Sequence, residues 1–344
     1  MTDLKTLAGR MALDAARWSG SSTLARRTTR PFGAIFTLHH VSPCPVSNFP
    51  PNGHLSIHPN FLRDVIRHLK SSGCDIVDLD EAVSRIEDRR HDRFFAAFTL
   101  DDGYVDNADH AAPVFRDEAV PYAIFVSPGL SDGKILPWWE VAESVVMACD
   151  HVVLPWRPGQ AIDTSAKPAK RRVFDDISIH LTTICPERLV ADTAWRLAEM
   201  NAGLTPAPRS RVMDWDRLAE LARDPLATIG AHSMTHPRLA RLCDDEAYAE
   251  IALSRHVIAE RLGTMPRHFA YPYGSTSACG EREFAMAATA GYRAAYTTRL
   301  HALTPARSRQ MQALPRLSLN GYYQDVRHVD VLMSGLPGLW KDVR

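Results

Sequence analysis

In the stretch 98-FTLDDGYVDN-107 an apolar run ends on two adjacent carboxylates, Asp101 and Asp102. Neighbouring anions repel and lose hydration when enclosed, so such a pair is tolerable only among cations, hydrogen-bond donors or water. A solvated turn built on the Asp-Gly step at 102–103 would account for the dipeptide alone. The stretch 232-HSMTHP-237 changes the weighting, because it sets His232 and His236 four residues apart after another apolar run. Two imidazoles at that spacing, on a loop opening into a helical turn, can converge on one cation. An added carboxylate completes a three-ligand set with open positions, the arrangement of a catalytic metal and not of a sealed structural one. Zinc, cobalt, nickel and iron all suit such ligands.

These side chains need rigid elements beneath them. Short apolar, β-branched or aromatic runs at 33–38, 74–79, 94–100, 121–126, 226–231, 267–271 and 292–298 alternate with amphipathic segments such as 59–70 and 244–263. The second of these begins with acidic residues and ends on Gly263, as helix termini favour. The alternation predicts an α/β fold with a parallel sheet and outer helices, and seven strands fit a closed or nearly closed barrel. In such barrels the chemistry sits on loops leaving the carboxyl ends of the strands. Here the runs end in His39-His40, in Asp101-Asp102, in His232 and in Pro272-Tyr273-Gly274, so four distant segments deliver polar groups to one rim. Residues 137–215 break the rhythm with prolines, basic residues and helical stretches, which predicts an insertion over one end of the barrel. The division expected is a helical extension over 1–30, the barrel with its insertion over 31–325, and a C-terminal tail over 326–344.

Composition narrows the class. The chain has 344 residues, 45% hydrophobic, with 40 basic and 40 acidic side chains, and the absence of a basic excess argues against a nucleic-acid binder. Six scattered cysteines (44, 74, 149, 185, 243 and 279) form no CxxC and read as free thiols in a reducing compartment. No segment has the length of a transmembrane span or a signal-peptide core, so a cytoplasmic location is expected. Leu4, Leu7, Met11, Ala15 and Trp18 recur at helical spacing with Lys5, Arg10 and Arg17 between them. That pattern suits peripheral contact with a membrane surface, although a helix packing the stripe on its own domain is the preferred reading; 26-RRTTR-30 follows as a solvated linker. The stretch 129-GLSDGK-134 lacks phosphate-loop spacing, and no Ser or Cys sits in a nucleophile elbow. Trp138 and Trp139 could stack on sugar rings, but anchoring the insertion is the favoured reading.

The ordered set FTLDDG (98–103), 113-PVFRDEAVPYAIFV-126, HSMTHP (232–237) and 269-FAYPYG-274 resembles the polysaccharide deacetylases of the NodB-homology class, also called carbohydrate esterase family four. The resemblance implies a distorted (β/α)7 barrel and metal-dependent hydrolysis of N-acetyl groups from amino sugars of a glycan, such as a chitooligosaccharide or a surface polysaccharide. It implies Asp102, His232 and His236 as ligands of one divalent ion, with zinc foremost, Asp101 as catalytic base, and the main-chain amide of Tyr273 as an oxyanion donor. Water on zinc ionises near a pKa of roughly 7, which lets a neighbouring carboxylate take its proton before attack on the amide. Two departures stand out. Ala270 occupies a position where many members carry an arginine that orients the base; Arg316, in 314-LPRLS-318, is the candidate replacement, with an ordinary surface arginine as the alternative. The late Leu-x-His that supplies a general acid is missing, since 300-LH-301 has the wrong spacing. Instead 38-LHHV-41 is similar to a Tyr-His-x-Val pattern in part of the family, which selects His39 over His40 to protonate the departing amine. Two other functions remain open: a non-catalytic glycan-binding barrel that keeps a metal, and a metal amidohydrolase acting on a non-sugar amide. Retention of both Asp101 and Asp102 argues against the first, because a bare metal site needs only one.

Overall fold

Strands β1 (Gly33–Leu38), β3 (Phe95–Leu100) and β4 (Tyr122–Val126) are buried at every position, as parallel strands covered on both faces must be. In the computed structural model, which describes residues 2–43, 50–90, 92–201 and 211–342, they belong to one parallel sheet with β2 (Asp75–Ile76), β5 (Ala227–Ala231), β6 (His268–Ala270), β7 (Ala294–Tyr296) and β8 (Leu317–Ser318). The strand order is β7-β6-β5-β4-β3-β1-β8, and β2 pairs with the start of β3. A bridge from Tyr296 to Leu314 and the pairing of Leu317 with Phe36 draw the segment 314–318 between the two ends of the sheet. The sheet thus curls into a distorted (β/α)7 barrel. Register places Thr37 beside Thr99 and Leu38 beside Leu100, so His39 and Asp101 leave the barrel together.

Local chemistry explains where elements stop. The run 74–79 contributes only a two-residue strand, because the Asp78 side chain accepts from the Glu81 amide at 2.8 Å and starts the helix Leu79–Glu87. The segment 314–318, outside the seven expected strands, supplies β8. Helices Pro59–Ser71 and Asp244–Leu262 match their periodicity, the second stopping at Gly263 in the left-handed region, φ 73°.

The N-terminal segment is helical, as expected, but other readings of the termini differ. Residues 26–29 are not a linker; they continue the helix Ser21–Thr29, which buries Ala25, and Arg30 caps it. Helix Thr2–Trp18 packs on the domain, but through Leu13 and Ala16, against Val331 and Leu336. Its close approach depends on Gly9, where a Cβ would lie 2.2 Å from the Tyr323 hydroxyl. Leu7, Met11, Ala15 and Trp18, the stripe read as core-facing, point outward; the side chains of Leu4 and Lys5 lie outside the described set. Residues 326–342 form two helices, Val326–Met333 and Leu336–Asp342, and Val329 and Met333 join the main core.

Between β4 and β5 the insertion folds around its own apolar cluster. Helices Trp138–Ala148, Lys167–Ile179 and Val190–Met200 contribute Val141, Val145, Phe174, Ile177 and Leu197, beside an antiparallel hairpin of 151–153 with 161–163. Among the described cysteines Cys74, Cys185 and Cys279 are buried, Cys149 is half-buried and Cys243 is exposed, all free; Cys44 lies outside the described residues. No described helix is long and apolar enough to cross a membrane.

Candidate functional site

The rim gathers the side chains that the strands deliver. Asp102 Oδ1 lies 3.2 Å from His236 Nε2 and 3.5 Å from His232 Nε2, with all three residues buried. His232 Nδ1 donates to the carbonyl of Ala270 at 2.7 Å, which fixes the ring with Nε2 toward Asp102. Burial lowers the His232 pKa to about 4 against the pull of Asp101 and Asp102, so the ring is neutral and able to ligate. Burial alone would raise the Asp102 pKa, but the close approach of His236 and the other neighbouring imidazoles outweighs this and holds it well below the usual carboxylate range. Asp102 Oδ1 and His236 Nδ1 are buried without a hydrogen-bond partner, and buried polar atoms rarely stay so. Two imidazoles and a carboxylate whose donor atoms lie within 4.8 Å of one another fit a divalent ion.

The backbone here is strained. Of the described residues, Asp102, Ser233, His236 and Tyr273 all have φ between 60° and 71° without being glycine. Such conformations cost free energy and persist where the surroundings impose them, as at ligand clamps. Gly274, also left-handed, could carry no side chain, since a Cβ would sit 2.4 Å from the amide nitrogen of Thr298.

Asp101 has a different neighbour. Arg316 is 0% exposed and grips Asp101 in a two-point pair, Nη1 to Oδ1 and Nη2 to Oδ2, both 2.7 Å. The guanidinium also donates to the Thr297 carbonyl and to Thr99 Oγ1. Arg316 is therefore no surface residue; it is buried and reaches the carboxylate from the position just before β8. Burial opposes ionisation of Asp101, yet the charge of Arg316 and its hydrogen bonds lower the pKa overall.

The two histidines after β1 diverge. His39 lies within electrostatic reach of Asp101, Asp102 and Arg316, and burial lowers its pKa although the carboxylates oppose the shift. Its carbonyl accepts from Asn107 Nδ2 at 2.7 Å. His40 instead binds Asp106 through Nδ1 at 2.7 Å and Glu140 through Nε2 at 3.2 Å, with its ring 3.6 Å from that of Tyr104. Burial works against its charge, but these two hydrogen bonds prevail and raise its pKa to about 10. His301 is not at this rim: it abuts Gly338, and nearby Leu303 bridges Gly33 at the start of β1.

The insertion walls the site. Trp139 packs 4.8 Å from the His236 ring and donates to the Tyr104 hydroxyl, while Trp138 donates to the Tyr273 hydroxyl at 2.8 Å. Arg238 lies 4.0 Å over the Tyr273 ring, and its amide donates to Glu187 of the insertion. Both tryptophans are buried anchors. A cavity of about 590 Å³ opens on the His40 side, lined by Asn52, Asp106, Glu143, Arg211 and Tyr322 among others. A second, about 430 Å³, touches His236 on the other side with Trp138, Trp139 and Leu253. Sequence reasoning did not single out Thr99, Asn107, Asp106, Glu140 or Arg238. A signal existed for the first: Thr37 and Thr99 are the polar residues within two otherwise apolar runs, adjacent in register at the strand ends.

The model of the polysaccharide deacetylase family matches residues 173–295. That span holds His232, His236, Ala270 and Tyr273, and leaves His39, Asp101, Asp102 and Arg316 outside. Among solved structures, the fold is similar to Streptococcus pyogenes deacetylase PplD in complex with acetate, at 13% identity and TM-score 0.56, over 88% of this chain and 97% of that one. The chain resembles the polysaccharide deacetylases of the NodB-homology class. IcaB from Ammonifex degensii is similar at 16% identity and TM-score 0.55, again over 88% and 97% of the two chains. The BpsB deacetylase domain from Bordetella bronchiseptica follows at 15% and 0.51, over 83% and 94%. No curated protein matches the chain at a significant level.

Proposed function

We propose that this protein is a divalent-metal-dependent N-deacetylase that removes acetyl groups from amino sugars of an oligo- or polysaccharide, with a chitooligosaccharide or a surface glycan as substrate and zinc as the ion. The observation that carries the reading is the division of labour between two adjacent carboxylates: Asp102 opposes two imidazoles, while Asp101 is held by Arg316. A site built only to bind a metal needs no second, separately oriented carboxylate. Among the similar structures, PplD in complex with acetate and the BpsB deacetylase domain support the same chemistry.

Asp102, His232 and His236 would hold the ion, which when bound acidifies a water and polarises the acetyl carbonyl. Asp101 then takes a proton from water, and the two-point grip of Arg316 keeps its oxygens aimed and its charge low in energy until that transfer. The Tyr273 main chain, bent into the left-handed region, offers its N–H to the developing oxyanion. His39 gives the proton that the departing amine needs. Because burial keeps its ring neutral at rest, that donation requires a proton gained during the cycle. The cavity beside His40, whose lining mixes carboxylates, Asn52 and Tyr322, would receive the sugar rings.

The test is acetate release from a panel of N-acetylated glycans by chelator-stripped protein before and after addition of zinc, cobalt, nickel or iron. Metal-dependent release supports the reading; release that persists without any metal, or none on any glycan with metal bound, overturns it.

A further inference from the structure

We propose that the N-terminal helix pair docks the protein on an anionic lipid surface. Helix Thr2–Trp18 has two opposed faces. Gly9, Leu13 and Ala16 form the inner one, against Tyr323, Val331 and Leu336. At roughly 100° per residue, Leu7, Met11, Ala15 and Trp18 fall on the other side. Leu7 is 54% exposed, Met11 62% and Trp18 80%, and Leu24 of the following helix adds another exposed leucine at 64%. Since the helix already has a packed face, this outer hydrocarbon is surplus to folding. A run of exposed large apolar side chains on one face marks an interaction site.

Charge around the stripe selects the occupant. Residues 2–30 carry Lys5, Arg10, Arg17, Arg26, Arg27 and Arg30 against only Asp3 and Asp14, in a chain whose totals are 40 of each sign. Asp14 is further occupied by His328, at 2.9 Å. Arg10 and Arg17 are exposed beside the stripe, Arg27 is exposed on the following helix, and the Arg17 guanidinium lies 5.4 Å from the Trp18 ring centre. Leucine, methionine and tryptophan edged by arginines suit an anionic bilayer interface, where the apolar groups enter the acyl boundary and the guanidinium groups stay at the phosphates. A stable protein partner needs about 800 Å² on each side, more than a single row of side chains supplies. The inner face touches Tyr323, whose neighbours Tyr322 and Gln324 line the cavity beside His40, so docking would hold that cavity near the lipid surface.

The probe is flotation of the full chain with phosphatidylcholine vesicles, with and without phosphatidylserine. Binding is expected only with phosphatidylserine and is released by salt. The double variant Met11→Asp/Trp18→Asp should lose about tenfold or more of the partition coefficient, and Arg10→Gln/Arg17→Gln several-fold, as the apolar and electrostatic contributions of interfacial helices predict. Circular dichroism melts check that the variants stay folded. No flotation of the full chain, or unchanged flotation of the folded Met11→Asp/Trp18→Asp variant, overturns the proposal. Sedimentation in which the parent self-associates and that variant does not, with neither floating, would overturn it in favour of a second copy of the chain.

Discussion

Asp101 and Asp102 are consecutive residues with opposite surroundings, and the positive φ of Asp102 is what separates them: one side chain turns to Arg316 in the barrel and the other to His232 and His236. Exchange of their chemistry is testable residue by residue. Asp101→Asn should retain the metal and lose about 10²–10⁴ in turnover, the usual contribution of a positioned proton acceptor. Asp102→Asn, His232→Ala and His236→Ala should instead lose bound metal and activity together. Metal content and kcat measured on the same preparations decide this, and metal loss in the Asp101 variant with retention in the Asp102 variant would reverse the two roles. His39 has its own signature. An amine leaving group needs a proton and a phenolate does not, so His39→Ala should lose about 10²-fold on N-acetylglucosamine oligomers yet hydrolyse an aryl acetate nearly as the parent does. An equal loss on both substrates would make His39 structural.

At the scale of elements, His40 joins the barrel to the insertion, because its two nitrogens bind Asp106 beside β3 and Glu140 in the helix Trp138–Ala148. Glu140 also pairs with Arg211, so one half-buried imidazolium sits in a network that fastens the wall of the site. Its pKa is raised from 6.5 to about 10. A raised folded-state pKa contributes stability that is full below pH 6.5 and is lost as pH rises toward 10. Thermal unfolding followed from pH 6 to pH 10 should therefore show a decline that flattens in His40→Gln, and parallel slopes in the two proteins would refute the charge assignment. The clustering of His232 and His236 with the two carboxylates was legible in the sequence because each group closes an apolar run, and run ends meet at one rim. The His40 network was not legible: Asp106 and Glu140 are charged residues in loop and helix contexts where solvated side chains are the rule, and only tertiary packing brings them within reach. The N-terminal stripe misled for a related reason. Period alone cannot tell which face a helix buries, and here Gly9 and Ala16, by being small, settled the inner face.

For the molecule as a whole, the decisive joint is the segment 314–318, which links β7 to β1 and carries Arg316 into the barrel interior. Its sequence signal was slight, since β8 is two residues long and an isolated arginine after proline ordinarily lies on the surface; only the closed sheet turns it inward. Under the proposed function the same pair would serve both folding and chemistry, and the two contributions can be separated. Removing one partner of a buried ion pair leaves the other charge uncompensated and costs about 3–5 kcal/mol, whereas replacing both partners by neutral groups of similar size is often close to neutral. Arg316→Met should accordingly destabilise strongly, and Asp101→Asn should cost less because the amide can still accept from the guanidinium. The double variant Asp101→Asn/Arg316→Met should recover much of the stability lost in Arg316→Met. Activity should follow another course: both variants lacking Asp101 and the Arg316→Met protein should all fall by about 10²-fold or more, since base and orienting group act as one unit. Denaturant midpoints and kcat on the four proteins of this cycle test both parts. Additive destabilisation in the double variant would mean that the arginine and the carboxylate are not coupled in the fold, and near-parent turnover in Arg316→Met would remove Arg316 from the catalytic apparatus.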